Sequence, residues 1–277
     1  MTDHYTVYLL ALIIGYSAGG TACKPFLHIL RSGGAVRPNY SGQNIPVGGG
    51  AVFFFALLPV VLISVIVFPE YMRQARIMSF IFVTALTTLV GIIDDTLGSR
   101  KVSGLKGHFR RLLGGELTTG GLKAIAIGIG SLFVFLPGSP LWESVFNAIL
   151  TALTVNTLNL FDLRPGRAGK VFLAVAAALT AAAWGRSEVF LLLAVSGALI
   201  AFLRVDLRAE AMMGDAGSNT LGAAIGLTAA WTLGLEARAV VFLLLLFLNL
   251  LAERYSLTVI IANNRVLNFI DRLGRRE

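Results

Sequence analysis

The sequence predicts an all-α, polytopic integral membrane helix bundle of about nine transmembrane helices. Three observations lead there. Hydrophobic residues make up 56% of the 277-residue chain and charged residues only 14%, where a soluble domain carries about 25% charged. The mean hydropathy is +0.79. Apolar runs near the roughly 20 residues that a helix needs to cross a bilayer recur along the whole chain. Residues 1–258 are expected to form a single transmembrane domain and 259–277 a basic, amphipathic tail, with no separate soluble domain.

The spans are taken in order. The first, at 5–23, is expected to be a true span and not a cleaved leader, because Asp3 and His4 stand where a basic region would be. Cys23, the only cysteine, reads as a small apolar filler, and it excludes both an intrachain disulfide and a thiolate metal cluster. A glycine run opens the second span, 48–68, and Pro69 closes it. The third, 76–93, runs up to Asp94-Asp95. The fourth, 120–136, stops at Pro137-Gly138-Ser139-Pro140. The fifth, 143–161, is cut from the sixth, 168–185, by Pro165-Gly166. The seventh is 188–204. The last two, 219–235 and 238–258, part at Gly234.

Charge gives the orientation. With nine spans, all lysines and arginines except Arg73, Arg76, Arg186 and Arg238 fall in one set of loops. Basic loops stay in the cytoplasm, so the N-terminus is expected outside and the C-terminus inside, in a multi-pass protein of the cell membrane. The net charge of +8 is thereby accounted for without nucleic acid. In the tail, Val266, Leu267, Phe269, Ile270 and Leu273 suggest a short amphipathic helix lying on the membrane surface.

Four segments carry unusual polarity, and all are expected on the cytoplasmic side. Asp94-Asp95 places adjacent carboxylates at the negative end of a helix dipole. They form either a solvated helix stop or a divalent-cation site of the carboxylate type that suits magnesium. Asn156, Asn159 and Asp162 recur every third residue on one helix face. They either bond to neighbouring helices or line a polar cavity. In Gly214-Asp215-Ala216-Gly217-Ser218-Asn219, Asp215 or Ser218 either caps the eighth span or the segment receives a phosphate with Asp215 as a metal or catalytic carboxylate. Gly48, Gly49 and Gly50 allow close approach of a neighbour or a ligand. Basic residues interleave with these segments, among them Lys106, Arg164 and Arg167. They serve either as anchors to anionic lipid or as partners of a diphosphate.

In order and spacing these motifs resemble the polyprenyl-phosphate N-acetylhexosamine-1-phosphate transferase superfamily. Pro46-Val47-Gly48-Gly49-Gly50 is similar to its Pro-Thr-Met-Gly-Gly segment and Asp94-Asp95 to its Asp-Asp motif. Asn156-Thr157-Leu158-Asn159-Leu160-Phe161-Asp162 is similar to Asn-x-x-Asn-x-x-Asp, and Gly214-Asp215-Ala216-Gly217-Ser218 to Gly-Asp-x-Gly-Ser. The resemblance implies transfer of a sugar-1-phosphate from a UDP-sugar to a polyprenyl phosphate at the cytoplasmic face, with release of UMP and a need for Mg2+. It implies Asp94, Asp95 and Asp215 as catalytic residues, Asp215 and Asp95 as metal ligands, and Asp94 or Asp95 as the group that deprotonates or positions the lipid phosphate. It also implies that Asn156, Asn159 and Asp162 help bind the nucleotide-sugar and shape the site; Gly49, Gly50, Lys106, Arg164 and Arg167 are expected to join them in meeting the substrates. A homodimer is implied by the resemblance alone.

The sequence departs from that pattern at three places. Pro165 stands where a second aspartate follows Asp162, no lysine precedes Ile45-Pro46, and no histidine follows His108. Two other readings therefore stand beside the transferase: a non-catalytic lipid-phosphate binding or scaffold protein, and a transporter with Asn156, Asn159 and Asn249 along a path. The transferase reading expects Asp94, Asp95, Asp162 and Asp215 to converge within one magnesium coordination neighbourhood.

Overall fold

A computed structural model describes residues 4–67, 71, 73–98, 111 and 114–275. Among these residues, nine long helices follow the nine expected spans: α1 (His4–Ser32), α2 (Val52–Val67), α3 (Gln74–Leu97), α4 (Thr119–Phe135), α5 (Leu141–Phe161), α6 (Arg167–Ala182), α7 (Val189–Leu207), α8 (Gly214–Thr232) and α9 (Leu235–Arg254). Seven of them are long and apolar enough to cross a membrane; α6 and α8 are the exceptions. The protein is thus a polytopic helical membrane protein.

The two exceptions have different causes. Helix α6 has only 16 residues, whereas α2, of the same length, is extended to 19 by the helical turn that begins at Gly49. Helix α8 is long enough but rich in Gly, Ala, Ser, Thr and Asn, and every residue from Ala216 to Trp231 is buried. It is the central helix, packed between α3 and α5, so protein and not lipid surrounds it. Small residues let those backbones approach closely. A Cβ at Gly91 would run into the α8 backbone at Asp215–Ala216, and one at Gly222 into the backbone of Val155. The hydroxyls of Thr88 and Thr220 bond across α3 and α8 at 2.6 Å. Helices α1 and α7 form a second close pair, with α2 against both.

Several boundaries differ from those expected. Helix α1 continues past Pro25 to Ser32. Asp94 and Asp95 lie inside α3, not beyond it, because the helix is closed by the Gly98 amide on the Asp94 carbonyl at 2.9 Å. Gly214-Asp215 lies inside the first turn of α8. The connection before α2 holds a small antiparallel hairpin, β1 (Val36–Pro38) and β2 (Asn44–Pro46), with Arg37 opposite Ile45. Its turn is built by Asn39, whose Oδ1 accepts from the amides of Ser41 and Gln43. The tail forms two short helices where one was expected: α10 (Leu257–Asn263) and α11 (Arg265–Arg272), the second capped by the Asn264 side chain.

Candidate active site

The site is organised by the start of α8. Gly214 has a φ of 71°, a left-handed conformation that an L side chain adopts at a cost. A Cβ there would also meet the Asp95 carboxylate and the Gly48 amide. This close approach brings Asp95 onto the exposed amides of the first helical turn. Its Oδ1 accepts from Asp215 N at 2.9 Å and its Oδ2 from Ala216 N at 3.0 Å. A buried carboxylate from α3 therefore caps α8 and sits at the positive end of its dipole. Neither Asp215 nor Ser218 performs that capping role.

Asp215 is left free to face the other way. Its Oδ2 accepts from Lys123 Nζ, on α4, at 2.5 Å, and the same ammonium lies 3.7 Å from Asp94 Oδ2. Asn159 of α5 completes the cluster. With its side-chain amide oriented so that nitrogen and oxygen both meet complementary partners, the nitrogen donates to Asp215 Oδ1 at 2.8 Å and to Ser218 Oγ at 3.2 Å, and the oxygen accepts from Lys123 Nζ at 2.9 Å. Four helices thus place two carboxylates, an amide and one ammonium within direct contact of one another. Around them is a cavity of about 800 Å³ lined by Asp94, Asp95, Asp162 and Asp215 together. The four aspartates line one cavity, but among the described residues no three of them form a group that could hold one metal ion together, so the expected single magnesium neighbourhood is not formed.

The cavity changes character along its length. Its polar part adds Asn156, Asp206, Arg37 and Arg164 to the cluster, while Ala124, Ile127, Ile149, Ala152 and Leu153 form an apolar stretch between α4 and α5. Asp162 closes α5 in the turn before Pro165. Burial pushes its carboxyl well above the ordinary range, helped by the charges of Asp206, Asp215 and Asp95, against a hydrogen bond from the Gly214 backbone. Asp206 accepts from Gly166 N at 2.8 Å and so pins the same turn. Arg164 lies over the Tyr40 ring, 5.1 Å from its centroid, which joins the turn to the tip of the hairpin. Arg37 donates to the Gly98 carbonyl at 3.1 Å.

Other expected site residues are placed differently. Gly49 and Gly50 do not line the cavity. Their amides bond to the carbonyls of Met212 and Met213, and a Cβ at Gly50 would strike Gly217, so they serve backbone packing against α8. Arg167 points away from the cavity to Asp271 in the tail, donating at 2.8 and 2.9 Å. Asn156 lines the cavity, but its amide also bonds to Asn249 on α9. Lys106 lies outside the described residues. Sequence reasoning missed Lys123, Tyr40, Arg37 and Asp206 as site residues. Lys123 carried a usable signal: it is the only ionisable residue in the fourth apolar run.

Such an arrangement can hold a polyanion. The ammonium and the guanidinium groups attract phosphate. The carboxylates can take a proton or share a cation, and the apolar stretch can accept a hydrocarbon chain.

Comparison with known proteins agrees. The sequence model of glycosyl transferase family 4 matches residues 77–233. That range contains Asp94-Asp95, the Asn156–Asp162 segment and the Gly214–Ser218 segment. The chain is 29% identical to the phospho-N-acetylmuramoyl-pentapeptide-transferase of Carboxydothermus hydrogenoformans, over 94% of this chain and 84% of the relative. It is 29% identical to the enzyme of that name from Moorella thermoacetica, over 77% and 71%. The one from Clostridium kluyveri is 30% identical over 76% and 70%.

Proposed function

Because the chain belongs to glycosyl transferase family 4, we propose that it transfers a sugar-1-phosphate from a UDP-sugar to a polyprenyl phosphate at the cytoplasmic face of the cell membrane, releasing UMP. The observation that carries this reading is the Lys123–Asp215–Asp94–Asn159 cluster within a cavity that runs from polar to apolar. An oxygen of the lipid phosphate forms a bond to the phosphorus attached to the sugar, and the bond from that phosphorus to UMP breaks. Attack of one anion on another needs screening. Lys123 and Arg164 supply positive charge beside the cavity. Asp94 is placed to accept a proton from the lipid phosphate or to fix its position. The apolar stretch between α4 and α5 suits the first isoprene units.

Magnesium fits two of the carboxylates at the site better than the others. Among the described residues no group of three or more His, Cys, Asp or Glu could hold a metal ion. Magnesium needs only one or two carboxylates, with waters and substrate phosphates completing its shell. Asp215 and Asp94 offer such a pair, and the Lys123 ammonium between them marks a position where positive charge is stabilised. Asp95 fits less well, since both its oxygens accept amides of α8. Bound at Asp215 and Asp94, magnesium would supply charge neutralisation to the diphosphate and to the departing UMP.

The cytoplasmic placement rests on charge. Arg73, Arg76, Arg186 and Arg238 are the four basic residues assigned outside. Arg76 stacks on Trp231 at 4.7 Å, and Arg186 donates to the Trp231 carbonyl. Trp231 ends α8, whereas Asp215 begins it.

The experiment is a screen of UDP-sugars with purified protein and polyprenyl phosphate, measuring UMP release with magnesium and with a chelator. Release that needs magnesium and vanishes in Asp215→Asn supports the reading; full activity of Asp215→Asn overturns the assignment. Pro165, at the place of a second aspartate, favours one other reading, a non-catalytic lipid-phosphate binding protein. Binding of polyprenyl phosphate without turnover of any UDP-sugar would establish it.

A further inference from the structure

The tail is fastened to the cavity at one point. Asp271, on α11, is 8% exposed and accepts both donors of a fork from Arg167, at the first position of α6. Arg167 also donates to Thr258 Oγ1 on α10 at 3.0 Å. Arg275 closes the arrangement, donating to Asp271 Oδ1 at 2.5 Å and to the Pro165 carbonyl at 2.7 Å. Lys170, one turn along α6, caps the end of α11 through the carbonyls of Ile270, Asp271 and Leu273.

Two features separate this cluster from ordinary surface pairing. Bidentate guanidinium–carboxylate contacts are directional and rigid, and here both partners are withdrawn from water, with side-chain exposures of 5% and 7%. The remaining faces of α10 and α11 are open, with Val259, Val266 and Phe269 exposed. Leu257 of α10 is buried as well, and the polar clasp is the part of the attachment that reaches the turn 162–166. What it grips is the turn 162–166, whose Asp162, Arg164 and Pro165 all line the cavity.

We propose that Asp271 is a positioning residue: clamped by Arg167 and Arg275, it holds the turn 162–166 so that Arg164 stays over Tyr40 and faces the UDP moiety of the donor. This deepens the transferase reading and rests on it for the identity of the ligand. Asp271 touches no substrate itself; it acts through the turn.

Full-length protein in detergent tests this with three variants, Asp271→Asn, Asp271→Glu and Arg275→Gln, and two readouts. The first is amide hydrogen exchange of 162–167 against 214–219. The second is UDP affinity, with KM and kcat for the UDP-sugar found in the screen. Asp271→Asn is expected to speed exchange in 162–167 only, and to weaken UDP binding and raise KM about tenfold with kcat within about twofold. Asp271→Glu is expected to restore most of both. Unchanged exchange overturns the clasp. Faster exchange with unchanged UDP affinity and KM overturns its role in donor binding. If Asp271→Asn does not fold, Arg275→Gln, which leaves the Arg167–Asp271 pair in place, decides by the same readouts. Failure of the wild-type protein to bind UDP would refute the nucleotide-sugar reading separately, and exchange would still decide the clasp.

Discussion

The ammonium of Lys123 lies 2.5 Å from Asp215 Oδ2 and 3.7 Å from Asp94 Oδ2, so one lysine joins α4 to the carboxylates of two other helices. Both members of the closer pair are largely withdrawn from water, at 11% and 20% exposure. Removing one partner of such a pair leaves the other charge uncompensated, at a cost of about 3–5 kcal/mol. Lys123→Met is expected to lower the unfolding temperature in detergent and to cut UMP release by at least ~100-fold. Wild-type turnover in that variant would remove Lys123 from the chemistry.

The two adjacent aspartates divide their tasks. Asp95 accepts two α8 amides; Asp94 faces Lys123 and the cavity. Asp95→Asn is expected to destabilise the fold by roughly 0.5–2 kcal/mol, the value of a helix cap. Asp94→Asn is expected to melt near wild type while losing roughly 100-fold or more in turnover. Thermal unfolding and single-turnover assays side by side distinguish them, and identical behaviour would contradict the division.

Gly214 is constrained twice, by its φ of 71° and by the Asp95 carboxylate beside its Cα. Gly214→Ala is expected to cost about 1–2 kcal/mol from the backbone alone, with a further loss from displacing Asp95. A melting temperature equal to that of the parent would show that the turn relaxes.

Asp162 gives a pH signature. Its carboxyl titrates above the ordinary value of 3.8 because it is buried among Asp206, Asp215 and Asp95. The folded state therefore favours the protonated form. That contribution is fully present below pH 3.8 and is lost as pH rises through the folded value. Asp162→Asn is expected to stabilise the protein at neutral pH, with a gain that shrinks on acidification. Unfolding midpoints measured across pH check the sign, and a gain that grows toward acid would refute it.

Much of this was legible in the sequence because membrane helices advertise themselves by length and apolarity, and because clustered polar residues in apolar surroundings are conspicuous. The nine expected spans each match a helix, and the four aspartates line one cavity. Contacts between chemically ordinary residues were not legible. Nothing in Tyr40 or Arg37 marks them as cavity residues until the hairpin brings them there. Arg167 looked like a phosphate ligand because its partner, Asp271, is over a hundred residues away. The glycine run allows close approach of a neighbour or a ligand, and the neighbour it meets in the fold, the backbone at Met212 and Met213, carries no mark in the sequence.

Helix α8 bears on how the protein is made. A stretch so rich in Gly, Ala and Thr gains little from partitioning alone into hydrocarbon, and its Thr220 bonds across to Thr88 of α3. Both neighbours that enclose it, α3 and α5, precede it in the chain and leave the ribosome first. Biogenesis can thus prepare a proteinaceous slot before the helix that fills it has been synthesised, and a chain shortened ahead of residue 214 would present that slot empty to the bilayer and to its quality-control proteases.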